Sequence, residues 1–219
     1  HWYGGFWDFL EFTTQMILIL MTGYALVKAP PVERLMIKVA SIPKTQGSAL
    51  VATMLVSAAA AYISWGLGFV LGALFAIEVA KRVPAADFRL LIAAGYTAAV
   101  AILPAGITLT APLLVNTPGH STEDSIGLIP LSETIFSPTM LLIAFVGLAV
   151  VIFAFLKMMP KEEDVIPFNS EENGEDAKPA IKLDNTFAEK LNHSRILNYA
   201  LVALGLLWII LYFVNNGFN

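Results

Sequence analysis

The chain has 219 residues, of which 57% are hydrophobic and 14% are charged, and its formal net charge is −4. Soluble domains are about 45–50% apolar and about 25% charged. This composition, with a mean hydropathy of +0.72, therefore excludes an ordinary soluble globular protein and predicts a membrane protein. The absence of cysteine from these residues excludes disulfide frameworks, thiolate metal sites and cysteine nucleophiles within them.

The first predicted element is a membrane-crossing helix over the apolar run Phe9–Val27. A single crossing needs about 20 residues to span a hydrocarbon core about 30 Å thick. Residues 28–46 are expected to form a loop after this helix. They carry four basic residues, Lys28, Arg34, Lys38 and Lys44.

The second apolar run, Gly47–Ala80, has 34 residues. As one helix it would be about 51 Å long, which exceeds one straight crossing and falls short of two. We therefore predict a re-entrant helical hairpin over 47–80, with a return limb that begins near Phe69. Gly66 and Gly68 are expected to supply the permissive backbone of its tip. A long tilted or kinked helix remains the alternative.

The distribution of positive charge favours the hairpin. All 13 Lys and Arg residues lie in the segments 28–46, 81–89 and 157–195. A hairpin that returns to its starting side places all of them on one face, as the positive-inside rule prefers. This topology puts the N-terminus outside and the basic loops in the cytoplasm.

Small residues recur every four positions along the return limb, at Gly68, Gly72, Ala76 and Ala80. This spacing lets membrane helices approach closely. We expect this face of the limb to pack against a neighbouring helix.

The third apolar run, Phe88–Leu114, contains Pro104, Gly106 and Pro112. Proline removes a backbone donor and disrupts a helix, and non-helical backbone at membrane depth survives only inside protein or beside a water-filled cavity. We therefore predict a crossing helix, over about 88–114, that unwinds near Pro104–Pro112. An acidic external loop is expected to follow it.

The fourth and fifth apolar runs, Pro138–Leu156 and Ile196–Val214, each fit one crossing. The segment between them, residues 157–195, contains nine Asp or Glu residues and is expected to be a solvated cytoplasmic linker. Because acids dilute its basic residues, no nucleic-acid partner is predicted.

Ionisable groups within the predicted spans are few. Glu11 and Glu78 lie near opposite ends of spans, and Asp8 is interfacial, so snorkelling side chains are the preferred interpretation. His120 and His193 lack the spacing of a metal site or a catalytic pair. The sequence therefore predicts neither an enzyme nor a metal centre, and no cofactor apart from a coupling Na⁺ or H⁺.

Hydroxyl side chains stand beside both predicted breaks, at Ser64, Thr108 and Thr110. Helix ends at mid-membrane carry partial charges that bind anions and coupling cations in transporters built from repeats. Two interpretations remain open for each hydroxyl, because it either contacts a ligand or only caps a broken helix.

Three segments, "GGFWDFLEFTTQMILILMTGYALVKAPPV", "SWGLGFVLGALFAIEVAKRVP" and "PLLVNTPGHSTEDSIGLIPLSETIFS", resemble the bacterial short-chain fatty acid transporter family. The likeness covers about Gly4–Pro160 and Ser194–Asn219. That family is similar to the wider ion transporter superfamily, whose members have inverted repeats and paired hairpins.

The resemblance implies that the chain is a fragment, the N-terminal half of a longer protein that also lacks a short leader. Residues 1–160 would form the first transporter repeat, 161–194 an acidic cytoplasmic linker, and 195–219 the truncated first helix of the second half. The hairpin tip would lie at Ser64–Gly68, with a partner tip in the other half.

The resemblance also implies a binding site for substrate or ion. Its expected residues are Ser64, Trp65, Gly66, Gly68, Gly106, Thr108, Thr110, Asn116 and Thr117. The segment from Leu103 to Thr108 departs from the Gly- and Ser-rich family pattern, which indicates a different substrate preference.

The function implied is secondary active transport of short-chain fatty acids, monocarboxylates such as acetoacetate or butyrate, across the bacterial inner membrane, coupled to a proton or sodium gradient. The alternatives are a carrier for dicarboxylates or amino acids, or a sodium/proton antiporter. A membrane-embedded enzyme or an assembly subunit is a different class. The expected partners are a small carboxylate, the lipid bilayer and the C-terminal half of the same protein, and a homo-oligomer is left open.

Overall fold

The structure, a computed structural model, describes residues 2–120, 122–169 and 194–216. Helices and loops account for all of these residues, and they include no β-strand. The chain divides into two compact units, His1–Phe168 and Asn169–Asn219. The predicted fold class, an all-α polytopic membrane protein, is confirmed. Residues 170–193 of the predicted linker, with His193, lie outside the described residues.

The first unit contains eight α-helices among its described residues, and the second contains one, α9. In chain order they are α1 (Trp2–Val27), α2 (Pro30–Ala40), α3 (Gln46–Ile63), α4 (Trp65–Ala80), α5 (Phe88–Ile102), α6 (Thr110–Val115), α7 (Glu123–Ile126), α8 (Pro138–Lys157) and α9 (Arg195–Asn216). Within the described residues, three segments are long and apolar enough to cross a membrane: Gln46–Ile63, Phe88–Val115 and Pro138–Lys157. A bent pair, Met16–Val27 with Pro30–Ala40, raises this number to four.

The expected loop at 28–46 contains the helix α2, so that prediction was wrong. Pro30 and Pro31 occupy its first turn, where a missing N–H loses no intrahelical hydrogen bond. Glu33 in the first turn and Lys38 in the last complement the helix dipole. The chain bends by 69° between α1 and α2, so α2 begins a new direction rather than extending α1.

Helices α3 and α4 form the predicted hairpin. The hydroxyl of Thr45 caps α3 by accepting the N–H of Ser48, and Ser64, in extended backbone, separates the two helices. Close contacts join Gly68 to Ala61 and Gly72 to Ser57, so the helices run antiparallel. The return limb begins at Trp65, however, and the prediction of a start near Phe69 was wrong. The re-entrant course of the hairpin through a bilayer stays a prediction.

The tip glycines serve close packing rather than an unusual backbone conformation. Gly66 and Gly68 lie inside α4, and neither has a positive φ. A Cβ on Gly68 would lie 2.3 Å from the Ala61 Cβ and 2.5 Å from its Cα. The expectation that these glycines provide a permissive turn was therefore wrong. The predicted stripe of small residues along α4 is buried, as expected: Gly68, Gly72, Ala76 and Ala80.

A buried hydroxyl joins the hairpin to α5. Ser57 is fully buried, and its Oγ lies 2.7 Å from the carbonyl oxygen of Gly95 and 3.3 Å from that of Gly68. Gly95 also faces Gly72 and Thr53 at van der Waals distance. Because the small residues let the backbones approach, one side chain links α3, α4 and α5.

The segment after α8 folds back on the turn between α4 and α5. The carboxylate of Asp87 accepts the N–H groups of Leu90 at 2.9 Å and Ile166 at 3.0 Å, and the Phe88 N–H donates to the Ile166 carbonyl at 2.9 Å. The rings of Phe88 and Phe168 meet edge to face at 4.9 Å. Residues 161–168 are therefore part of the first unit, although most of them are exposed as a solvated segment would be, and the cytoplasmic side of this segment stays a prediction.

Candidate functional site

The two predicted breaks contact each other directly. The Trp65 N–H, at the start of α4, donates to the Thr108 Oγ1 at 3.3 Å. The Ile107 N–H donates to the Tyr62 carbonyl at 2.8 Å, near the end of α3. After α5, a short 3₁₀ turn at Leu103–Ala105 and the non-helical residues 106–109 precede α6. The predicted unwinding near Pro104–Pro112 is confirmed, and it lies against the hairpin tip.

An open groove of about 380 Å³ lies where these breaks meet. This volume is near the lower end of the roughly 300–1,000 Å³ typical of small-molecule sites. Its walls come from α1, the hairpin tip and α6, and they are mainly apolar. The lining residues are Met16, Ile19, Ser64, Trp65, Thr108, Thr110, Leu113, Leu114 and Thr117.

The hydroxyls in the groove differ in their partners. Thr108 caps α4 by accepting the Trp65 N–H, and the Thr117 hydroxyl donates to the Leu113 carbonyl at 2.8 Å. Within the described part of the chain, the hydroxyls of Ser64 and Thr110 have no hydrogen-bond partner. These two groups are therefore available to a ligand, whereas capping explains Thr108.

The N-terminus of α4 lies at the groove, because Ser64 and Trp65 belong to the lining. Gly68 donates to the Ser64 carbonyl at 2.9 Å, which closes the first turn. The N–H groups of Gly66 and Leu67 precede that bond, and no described residue accepts from them. Unpaired N–H groups at a helix start carry partial positive charge, which stabilises an anion nearby.

The nine predicted site residues fall into two groups. Five line the groove: Ser64, Trp65, Thr108, Thr110 and Thr117. Gly66, Gly68, Gly106 and Asn116 lie outside its lining. A Cβ on Gly66 would lie 2.6 Å from the Ile19 Cγ2, so this glycine brings α1 against the tip. Asn116 ends α6 as its C-terminal cap.

The apolar wall was not predicted from the sequence. Met16 and Ile19 face the groove from α1, and Gly23, one turn further along the same face, packs on the backbone of Gly66 and Leu67. The spacing of three and four residues places all three on one side of a helix. Leu113, Leu114 and Thr117 show a similar spacing after Thr110, and these patterns were the available signal.

Two other ionisable residues named from the sequence, Glu78 and His120, have local partners. Glu78 forms ion pairs with Lys81 and Arg82 at the end of α4, and the His120 ring contacts Thr122 and the Gly127 carbonyl within its loop. The side chains of Asp8 and Glu11 lie outside what the structure describes. Among the described residues, no group of three or more His, Asp or Glu could hold a metal ion.

Comparison with known proteins identifies the family. The sequence model described as "Short chain fatty acid transporter" matches residues 1–219. The chain belongs to the short-chain fatty acid transporter family. The resemblance inferred from the three motif segments is confirmed.

Two curated relatives support this membership in the short-chain fatty acid transporter family. A protein from Escherichia coli (strain K12) is 38% identical over 220 residues, which cover 100% of this chain and 50% of the relative. One from Haemophilus influenzae is 37% identical over 230 residues, with 100% and 51% covered. Both are named as candidate short-chain fatty acid transporters. The chain spans about half the length of these relatives, and no solved structure matches it.

Proposed function

We propose that this chain is the N-terminal half of a secondary active transporter that carries short-chain monocarboxylates, such as acetoacetate or butyrate, across the bacterial inner membrane. A proton or sodium gradient would drive it. Family membership and the names of the two relatives support transport of this substrate class. The whole carrier would comprise this half and a second half of similar length.

The observation that carries the proposal is the mixed lining of the groove, in which hydroxyl groups accompany mainly apolar side chains. Ser64 and Thr110 offer hydroxyls beside the N-terminus of α4, and Met16 and Leu113 belong to the apolar lining. A carboxylate needs donors or a positive field when it leaves water, because an unpaired buried charge is costly. A monocarboxylate with a short alkyl tail matches this combination of hydroxyl donors and apolar side chains.

The same lining supports a monocarboxylate over a dicarboxylate. No charged side chain lines the groove among the described residues. A second carboxylate would therefore face the apolar wall without a cationic partner in this half. A coupling sodium ion, which prefers oxygen ligands, would find hydroxyl oxygens at Ser64 and Thr110. A coupling proton would need a carrier other than the groove lining.

Counterflow in proteoliposomes tests this proposal. The complete protein, loaded with unlabelled butyrate, should accumulate radiolabelled butyrate saturably, and succinate should compete poorly. Imposed sodium and pH gradients, applied separately, should reveal which ion drives uptake. Stronger competition by succinate than by acetoacetate, or uptake without saturation, would contradict the proposed substrate class.

A further inference from the structure

The peptide unit between Ser64 and Trp65 joins the two helices of the hairpin, and both of its polar groups are held. Its carbonyl accepts the Gly68 N–H at 2.9 Å, and its N–H donates to the Thr108 Oγ1 at 3.3 Å. The Ser64 N–H donates to the Ala60 carbonyl at 2.9 Å. These three bonds fix the extended backbone of Ser64, and therefore the point from which its side chain leaves the chain.

The segment that carries Thr108 is held against the hairpin by its backbone as well. The Ile107 N–H donates to the Tyr62 carbonyl at 2.8 Å. A Cβ on Gly106 would lie 3.4 Å from the Ala61 carbonyl oxygen, so this glycine lies against the last turn of α3. Thr108 adds a side-chain hydrogen bond to this backbone contact, and that bond reaches the start of α4.

We propose that Thr108 is a positioning residue for substrate binding, which keeps the hydroxyls of Ser64 and Thr110 at a fixed separation in the groove. Thr110 lies two residues after Thr108, at the start of α6, and both hydroxyls belong to the groove lining. A carboxylate that accepts from both hydroxyls binds more tightly when they are already in place, because binding then has less side-chain and loop ordering to offset. This role rests on the proposed function, since it concerns binding of the carboxylate in this groove.

Two substitutions of Thr108 separate the hydroxyl from the shape of the side chain. In proteoliposomes of the complete protein, Thr108→Val should raise the half-saturating butyrate concentration about fivefold, the scale of one hydrogen bond. The maximal rate per reconstituted protein should stay nearly unchanged. Thr108→Ser, which keeps the oxygen, should restore the half-saturation. A half-saturation unaltered by Thr108→Val, or Thr108→Ser as impaired as Thr108→Val, would overturn the proposal.

Thr97→Val in α5 is the matched control. The Thr97 hydroxyl donates to the Ala93 carbonyl of its own helix at 2.7 Å, and the residue lies outside the groove lining. This variant loses a threonine hydroxyl without loosening the tip, so its half-saturation should match that of the unmodified protein. The same increase in Thr97→Val as in Thr108→Val would overturn the proposal, because the effect would not depend on the tip.

A double-mutant cycle tests whether Thr108 acts through Ser64. In a Ser64→Ala background, Thr108→Val should change the half-saturation much less, because the hydroxyl that it positions is already absent. Equal effects of Thr108→Val in both backgrounds would show that Thr108 acts independently of Ser64 and would overturn the proposal.

Hydrogen exchange measures the tip contact without transport. In the detergent-solubilised complete protein, the Trp65 amide hydrogen should exchange faster in Thr108→Val than in the unmodified protein or in Thr108→Ser. Unchanged exchange at Trp65 would overturn the proposal. If the unmodified protein takes up no butyrate saturably, the proposed function and this role fail together. Saturable uptake with an unaltered half-saturation in Thr108→Val overturns this role alone.

Discussion

Ser64 and Thr110 are the residues that the proposed function assigns to ligand contact in this half. Each offers a hydroxyl to the groove at the hairpin tip. In the described part of the chain, neither hydroxyl has a competing hydrogen-bond partner. Thr108, two residues before Thr110, instead accepts the Trp65 N–H. The Thr108 hydroxyl therefore holds the hairpin tip in place, whereas the hydroxyls of Ser64 and Thr110 are free to contact a ligand in the groove.

Gly68 gives the sharpest residue-scale prediction for the hairpin. Gly68→Ala should destabilise the protein by about 1–3 kcal/mol, because the new Cβ meets the Ala61 backbone, which cannot rotate away. Thermal unfolding in detergent would measure this loss. The matched control is Gly147→Ala in α8, where no atom lies within 4 Å of the added Cβ and helix propensity favours alanine. Equal melting temperatures for the two variants would contradict the packing role.

The positions of the tip glycines were predictable, but their role was not. The Trp-Gly-Leu-Gly sequence marks a break in a long apolar run. The reason for glycine lies in Ile19 and Ala61, which contact positions 66 and 68 only after the chain folds. Local sequence shows a small residue, and the non-local neighbour decides whether it serves a turn or a close approach.

At the scale of elements, apolar run lengths and prolines predicted the hairpin, the broken helix and α8. They missed α2, whose mixed polar and apolar residues were read as a loop. Proline is compatible with the first turn of a helix, and both prolines of α2 lie there. A 69° bend separates α2 from α1. The attachment of residues 161–168 was missed because the hydrogen bond that Ile166 donates to Asp87, 79 residues earlier, leaves no local pattern.

Asp87 links these elements and should make their stability depend on pH. Burial alone would raise the pKa of the Asp87 carboxyl, but the N–H groups of Ile166 and Leu90 and the Arg89 guanidinium hold it below its usual value. A carboxyl with a lowered pKa stabilises the fold above its unfolded pKa, about 3.9, and this contribution is lost as pH falls through the folded pKa.

Asp87→Ala should therefore lower thermal stability at pH 7, by about 1–3 kcal/mol for a lost cap and buried hydrogen bonds. The difference from the unmodified protein should shrink below about pH 4, as the native carboxyl becomes protonated. Asp124→Ala, at an exposed position, is the control and should change little. A difference that stays constant from pH 7 to pH 3 would show that the carboxylate charge is not involved.

At the scale of the whole molecule, the distribution of charge predicts the arrangement in the membrane. All 13 basic residues lie on one face if the hairpin returns to its starting side. The segment after α8, which packs on the α4–α5 turn, would then be cytoplasmic, and the loop that contains α7 would be external. The antiparallel hairpin is compatible with this topology.

Cysteine labelling tests this topology, since these 219 residues contain no cysteine. Asp124→Cys should react with an impermeant maleimide in whole cells, and Glu163→Cys should react only after lysis. Both positions are exposed in the structure, so access would depend on the side of the membrane. If Glu163→Cys reacts in whole cells and Asp124→Cys reacts only after lysis, the hairpin crosses the bilayer instead of returning. If both react in whole cells, α8 does not cross the bilayer.

The central claim is that the groove at the hairpin tip binds the substrate, and protection of this groove by substrate tests it most directly. Thr110→Cys, in a complete protein with any cysteine outside these residues replaced, places a thiol in the groove lining. Butyrate should slow its reaction with a small maleimide, half-maximally at the concentration that half-saturates uptake. Thr97→Cys in α5, outside the groove lining, should react at an unchanged rate. If butyrate protects neither thiol, or both equally, while uptake remains saturable, the substrate binds elsewhere and the assignment of this groove is wrong.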